Sequence, residues 1–134
     1  MGMEVLALDS RSIVTLEQRL REGHLIALVA DRDLSKSGID VRFFAKPARM
    51  PAGPAVLALK TGAVFLTAFV NYTKTGIHIT FDEISLPESG TQEEKVSILV
   101  QESANNFERG IAQHPQDWHM LQRIWIDEDF KERA

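Results

Sequence analysis

The chain has 134 residues, enough for one domain with a real core, and its 44% hydrophobic and 25% charged content is that of a globular protein. It contains no cysteine, which excludes disulfides, thiol catalysis and cysteine-ligated zinc or iron–sulfur centres. The net charge of −4 argues against nucleic acid as partner, and the longest apolar runs, 25–30 and 63–70, have the length of strands and not of bilayer spans.

In chain order, residues 4–8 read as a short strand, and Glu4 and Asp9 interrupt the N-terminus before a leader-like apolar region could form. A helix is predicted from Ser12 or Thr15 to Glu22, with Ile13, Leu16 and Leu20 on one face and Gly23 as its C-cap. Residues 24–30 are so uniformly apolar that an interior parallel strand, covered on both faces, is expected. Strand, helix and strand in that order build α/β sheets.

A charged loop, 31–38, leaves the end of that strand, and 39–44 forms a further short extended piece. Gly53-Pro54 opens a helix that carries Val56, Leu57 and Leu59 and ends near Gly62. Residues 63–70 and 76–84 form a strand pair, the second alternating Ile77, Ile79 and Phe81 with His78, Thr80 and Asp82, which predicts one half-solvated face. The clearest helix starts at a capping box of Thr91 and Glu94 and buries Val96, Leu99, Val100, Phe107 and Ile111. Pro115 ends it. A second helical piece carries Trp118, Leu121, Ile124 and Trp125, and the tail from Asp127 frays.

Three groups of residues invite a chemical reading. Asp31, Arg32 and Asp33 stand where the apolar run releases the chain into a loop, a place where open sheets bind ligands. Two carboxylates flanking a guanidinium can orient a hydroxyl or hold a phosphate. The same trio equally suits an ion-paired loop whose carboxylates satisfy backbone N–H groups.

Arg32, Lys36, Arg42, Lys46 and Arg49 gather in one stretch, which fits a phosphorylated ligand or anionic lipid. The helix start at Gly53 and Pro54 directs free N–H groups and a dipole outward, as anion sites do, though a capped helix without a ligand explains it as well. His114, Asp117 and His119 would need a further ligand to hold a metal, and no His-Glu-x-x-His, Gly-x-Ser-x-Gly, P-loop or Gly-x-Gly-x-x-Gly pattern occurs.

The order Ala30-Asp31-Arg32-Asp33-Leu34, Val41-Arg42-Phe43-Phe44, Met50-Pro51-Ala52-Gly53-Pro54-Ala55 and Thr61-Gly62-Ala63, with Ile111-Ala112 and His114-Pro115 later, resembles the lipid A biosynthesis acyltransferase family. It is most similar to the actinobacterial phosphatidylinositol mannoside acyltransferases within it. The resemblance implies the C-terminal half of a glycerolipid-acyltransferase-like α/β fold, a mixed sheet flanked by helices. It implies transfer of a fatty acyl group from acyl-CoA, as co-substrate, to a hydroxyl of a membrane glycolipid. No metal or other cofactor is expected, and the place of work would be the cytoplasmic face of the plasma membrane, contacted peripherally.

In that family the general base belongs to a His-x4-Asp motif ahead of the part matched here. Five positions beyond His24, His78, His114 and His119 stand Val29, Glu83, His119 and Ile124, so no histidine here completes the motif. No catalytic residue is expected in this chain, which is predicted inactive alone. By resemblance, Asp31, Arg32 and Asp33 line the acceptor side, while Arg42, Lys46, Arg49, Gly53 and Pro54 face phosphate or membrane. Two departures are Ala45, where the family often has glycine, and Thr67, where proline is common. The alternative is a non-catalytic α/β binding or assembly domain that self-associates through an open sheet edge or uncovered face.

Overall fold

The computed structural model describes residues 2–6, 10–126 and 131. The first helix, α1, spans Ser10–Arg21. It ends in a Schellman turn at Gly23, whose φ of 83° is left-handed. The N–H groups of Gly23 and His24 return to the carbonyls of Leu20 and Arg19 at 3.0 and 2.9 Å. Residues 2–6 form no strand, and position 8, which the sequence placed in one, lies outside the described residues.

The expected interior strand at 24–30 is not formed. The segment has no regular ladder, and Leu25 and Val29 are 87% and 94% exposed. The physical reason is the lack of neighbours: an extended run is buried only when elements lie against its edges and faces, and among the described residues none covers the outer side of this one.

Strands β1 (Ile39–Phe43) and β2 (Lys46–Met50) form an antiparallel hairpin. From sequence no element is assigned to 45–52, where Lys46, Pro47 and Arg49 break up the apolar pattern. Strand β2 alternates nonetheless, with Ala48 and Met50 fully buried and Pro47 exposed. Helix α2 follows at Gly53–Thr61, with Pro54 in its first turn and Gly62 closing it at φ 68°, as expected.

Strands β3 (Phe65–Tyr72) and β4 (Ile77–Ile84) make a second antiparallel pair. The α/β content is as the sequence implied, assembled as two small antiparallel sheets. Helix α3 (Gln92–Gln113) begins at the predicted capping box, with Thr91 Oγ1 accepting from Glu94 N–H and Glu94 accepting from Thr91 N–H. Its stripe of Val96, Leu99, Val100, Ala104 and Ile111 forms one core with Val41, Phe43, Ala48 and Met50 of the first hairpin and Ile84 of the second. Burying Leu99 completely contributes about 2 kcal/mol.

Among the described residues beyond α3 there is a single 3₁₀ turn, Pro115–Asp117, and no second helix. Leu121 is 95% exposed, whereas Ile124 is buried at 2%. The segment runs extended because Trp125 bridges to Ala48 and the Ile126 N–H donates to the Pro47 carbonyl. That adds a third partial strand to the first hairpin. The tail from Asp127, read as frayed, lies outside the described residues apart from residue 131.

Candidate active site

The Asp31–Arg32–Asp33 loop is half-buried, and its three members have different surroundings. Asp33 is built into the first hairpin. Its N–H donates to the Arg49 carbonyl at 2.8 Å, and its Oδ1 accepts from the Ser35 N–H at 2.8 Å, an Asx turn. Arg49 closes the same loop from the other side: Nε donates to Asp40 Oδ1 at 2.6 Å and a terminal nitrogen to the Ser35 carbonyl at 3.1 Å. Gly38 makes this approach possible, since a Cβ there would lie 2.5 Å from the Arg49 Cγ. Asp33 and Arg49 thus hold the loop in place, which is the structural role the sequence reading had left open.

Asp31 faces a different environment. It lines a cavity of about 430 Å³, together with Pro51 and Pro54 at the start of α2. The two sequence features singled out for chemistry, the Asp31 loop and the Gly53-Pro54 helix start, therefore meet at one cavity. Much of the rest of the wall comes from 25–30, β3, the body of α2 and the inward side of α3. No side chain caps the first turn of α2, where Ala52 occupies the N-cap position and Gly53 is exposed.

Asp31 is the one charged residue among those lining the cavity. The hydroxyls in the wall are already engaged. Ser103 donates to the Leu99 carbonyl at 2.8 Å. Thr67 donates to the Asp82 carbonyl at 3.3 Å and accepts from Asn106 Nδ2 at 2.8 Å. The remaining wall is mainly hydrocarbon, with Phe69, Phe107 and Trp118 among its larger side chains. Sequence reasoning missed Ser103 and Asn106. The available signal was helical spacing, since Ser103 stands four residues beyond Leu99 and Asn106 three beyond Ser103, on the buried side of α3 where a polar residue must find a partner.

Two of the other cations have local contacts. Arg42 is exposed and donates to the Ala45 carbonyl at 3.3 Å. Lys46 Nζ lies 5.4 Å above the Trp125 ring. The histidines do not converge. His114 ends α3 and stacks on Phe69, with ring centroids 6.3 Å apart, while His24, His78 and His119 are exposed. Asp117 accepts from the Tyr72 N–H at 3.0 Å and pins the 3₁₀ turn to β3. Among the described residues no group of three such side chains is placed to hold a metal ion, and no helix is long and apolar enough to cross a membrane.

Comparison with known proteins gives this site a family. Residues 1–126 match the family described as bacterial lipid A biosynthesis acyltransferase. The chain is 37% identical over 129 residues to a phosphatidylinositol mannoside acyltransferase of Mycobacterium tuberculosis (strain ATCC 25618 / H37Rv), covering 94% of this chain and 40% of the relative. It is 38% identical over 136 residues to the protein of that name from Mycolicibacterium smegmatis (strain ATCC 700084 / mc(2)155), covering 99% of this chain and 43% of the relative. The chain thus spans about two-fifths of the length of these relatives, and by its sequence it belongs to the bacterial lipid A biosynthesis acyltransferase family.

Proposed function

We propose that this chain supplies the acyl-binding and acceptor-side wall of an enzyme that moves a fatty acyl group from acyl-CoA to a hydroxyl of a membrane glycolipid, one resembling phosphatidylinositol mannoside. The observation that carries the reading is the apolar cavity with Asp31 as its one charged lining residue. A volume of about 430 Å³ is within the range of small-molecule sites, about 300–1,000 Å³. Its satisfied hydroxyls leave a surface suited to an alkyl chain.

In the reaction a base takes the acceptor hydroxyl proton as the oxygen attacks the thioester carbonyl. The C–O bond forms, the C–S bond breaks, and the coenzyme A thiolate leaves and takes up a proton. In this reading Asp31 orients the acceptor hydroxyl beside the acyl chain, and Arg32 attracts an anionic headgroup. Arg42, with its head exposed, and the uncapped first turn of α2 at Gly53 and Pro54 extend that attraction toward phosphate at the cytoplasmic leaflet. The base itself is assigned to the His-x4-Asp motif of the part of the family that this chain does not match.

The test is photolabelling of the purified chain with a photoreactive long-chain acyl-CoA, followed by peptide mapping and an acyl-transfer assay on phosphatidylinositol mannoside. Label is expected in 25–31 and 65–69, competed by acyl-CoA and not by coenzyme A, with no transfer. Label confined to other segments would remove the acyl site, and Asp31-dependent transfer by the chain alone would overturn the placement of the base.

A further inference from the structure

The loop that carries Asp31 and Arg32 shares a cavity with the start of α2, and one residue ties the two walls together. Arg49 stands on β2 directly opposite Asp40 of β1. Its Nε donates to Asp40 Oδ1 at 2.6 Å, and a terminal nitrogen reaches the Ser35 carbonyl at 3.1 Å. Its own carbonyl accepts from the Asp33 N–H at 2.8 Å. The loop is therefore gripped at Asp33 and at Ser35, on either side of the buried Leu34. In the other direction Met50 is fully buried, and Pro51, two residues beyond Arg49, already lines the cavity. Arg49 is thus a fixed point from which the chain reaches both walls.

Its guanidinium is poorly placed to meet a ligand. The Arg49 side chain is 12% exposed, against 64% for Asp40. The stem passes over Gly38, where a Cβ would lie 2.5 and 2.7 Å from Arg49 Cγ and Cδ and 3.2 Å from Asp33 Cβ. Neither Cγ nor Cδ is the free end of the side chain, so a methyl group at 38 must push the stem aside and the loop with it. The planar guanidinium serves the Asp40 carboxylate and the Ser35 carbonyl in one fixed geometry, which the point charge of a lysine does not reproduce.

We propose that Arg49 is a positioning residue for the acceptor and touches no phosphate itself. Paired with Asp40 and seated on Gly38, it sets the spacing between Asp31 and Arg32 on one wall and the first turn of α2 on the other. This role rests on the function proposed above, in which those walls meet a glycolipid headgroup. It differs from the phosphate-facing role that family resemblance implied for Arg49, and the two roles predict opposite signs. Removing the Asp40 carboxylate takes away a negative charge and unpairs the guanidinium from it. An Arg49 that contacts phosphate would then hold an anionic headgroup more tightly, whereas one that positions the loop would leave it held more weakly.

The test measures binding of the full chain to phosphatidylcholine vesicles that contain phosphatidylinositol mannoside. Vesicles carrying phosphatidylglycerol at equal charge report the contribution of charge alone. The variants are Gly38→Ala, Asp40→Ala and Arg49→Lys, with Asp31→Asn as the reference for the site. Backbone amide resonances of 31–33 and of α3 are followed in each free protein. All three variants are expected to move the resonances of 31–33 and to leave those of α3 in place. Each should lower the preference for the mannoside about tenfold, the size of one lost polar contact.

Tighter mannoside binding by Asp40→Ala would overturn the proposal, as would a wild-type preference in Arg49→Lys. So would resonances of 31–33 that stay put in Gly38→Ala and Asp40→Ala, or that move with no loss of preference. Should Gly38→Ala not fold, Asp40→Ala decides by itself, since its site is an exposed strand position. A wild type without mannoside preference, or an Asp31→Asn variant that keeps it, counts against the proposed function. The grip of Arg49 on the loop is then decided by the resonances of 31–33 alone.

Discussion

Gln101 brackets the backbone of Arg42. The Arg42 N–H donates to Oε1 at 2.9 Å, and Nε2 donates to the Arg42 carbonyl at 2.9 Å. A side-chain amide thereby takes the place of a neighbouring strand on the free edge of β1, tying the hairpin to α3 by a contact 59 residues apart in sequence. Replacing it with leucine removes both partners. Gln101→Leu is expected to lower stability by about 1–2 kcal/mol, read as an earlier urea midpoint. Gln101→Glu keeps the acceptor but turns a carboxylate toward the carbonyl, so at neutral pH it should do no better. An unchanged midpoint for both variants would show that water replaces the amide without loss.

The turn of the same hairpin stores a correctable strain. Phe44 and Ala45 have φ of 49° and 60°, the left-handed pair that a two-residue hairpin loop requires. Neither residue adopts that conformation cheaply. Phe44 is held there by its N–H donating to Glu108 Oε2 at 2.7 Å and by edge contact of its ring with Phe43. Ala45 is exposed, and the bond its carbonyl accepts from Arg42 at 3.3 Å is one that a glycine would keep. Ala45→Gly is therefore expected to raise stability by about 0.5–1 kcal/mol, and Ala45→Val to lower it by at least as much. Equilibrium unfolding of the three proteins decides the order.

Helix α1 gives a prediction in pH. Glu22 sits below the usual carboxylate range, first because the Gln18 side chain donates to it at 2.8 Å and then because Arg19 does so at 3.0 Å. Arg19 is raised in turn, chiefly by its bonds to Glu4 and Glu22. A carboxyl whose folded pKa is lowered contributes stability above its unfolded pKa and loses it as pH falls through the folded value. The last turn of α1 should loosen only in acid. In a carboxyl NMR titration, Gln18→Ala should move the Glu22 midpoint upward. A midpoint that stays put would assign the shift to Arg19 alone.

Local signals carried the parts of the fold that were legible. The Thr91–Glu94 capping box, the Pro54 start and Gly62 stop of α2, and Gly23 after α1 each act within one turn of backbone. The misread parts depend on neighbours. The run 25–30 has the composition of a buried strand, but composition reports a need for cover and not what supplies it. Strand β2 escaped notice because Lys46, Pro47 and Arg49 hide its alternation, which is set by Ala48 and Met50 packing inward. Trp118 and Ile124 reach the core from an extended segment, so their helical spacing was coincidental. At the site, the sharing of one cavity by Asp31 and Pro54 is a tertiary relationship with no local signal, and the bond from Asp33 to the Arg49 carbonyl has no side-chain signature at all.

The polar bridge behind the cavity offers the sharpest test of how its wall is built. Asn106 is 6% exposed, donates to Thr67 Oγ1 at 2.8 Å and accepts from Arg109. Thr67, also 6% exposed, passes its own proton to the Asp82 carbonyl. Removing either partner strands the other in an apolar wall, so Asn106→Leu and Thr67→Val should each cost about 1–3 kcal/mol. The double variant leaves no stranded amide–hydroxyl pair, although the Asp82 carbonyl and Arg109 still lose a partner. Its cost should fall short of the sum by about 0.5–2 kcal/mol. A double-mutant cycle by urea denaturation measures that coupling, and strict additivity would mean that Asn106 and Thr67 are satisfied independently.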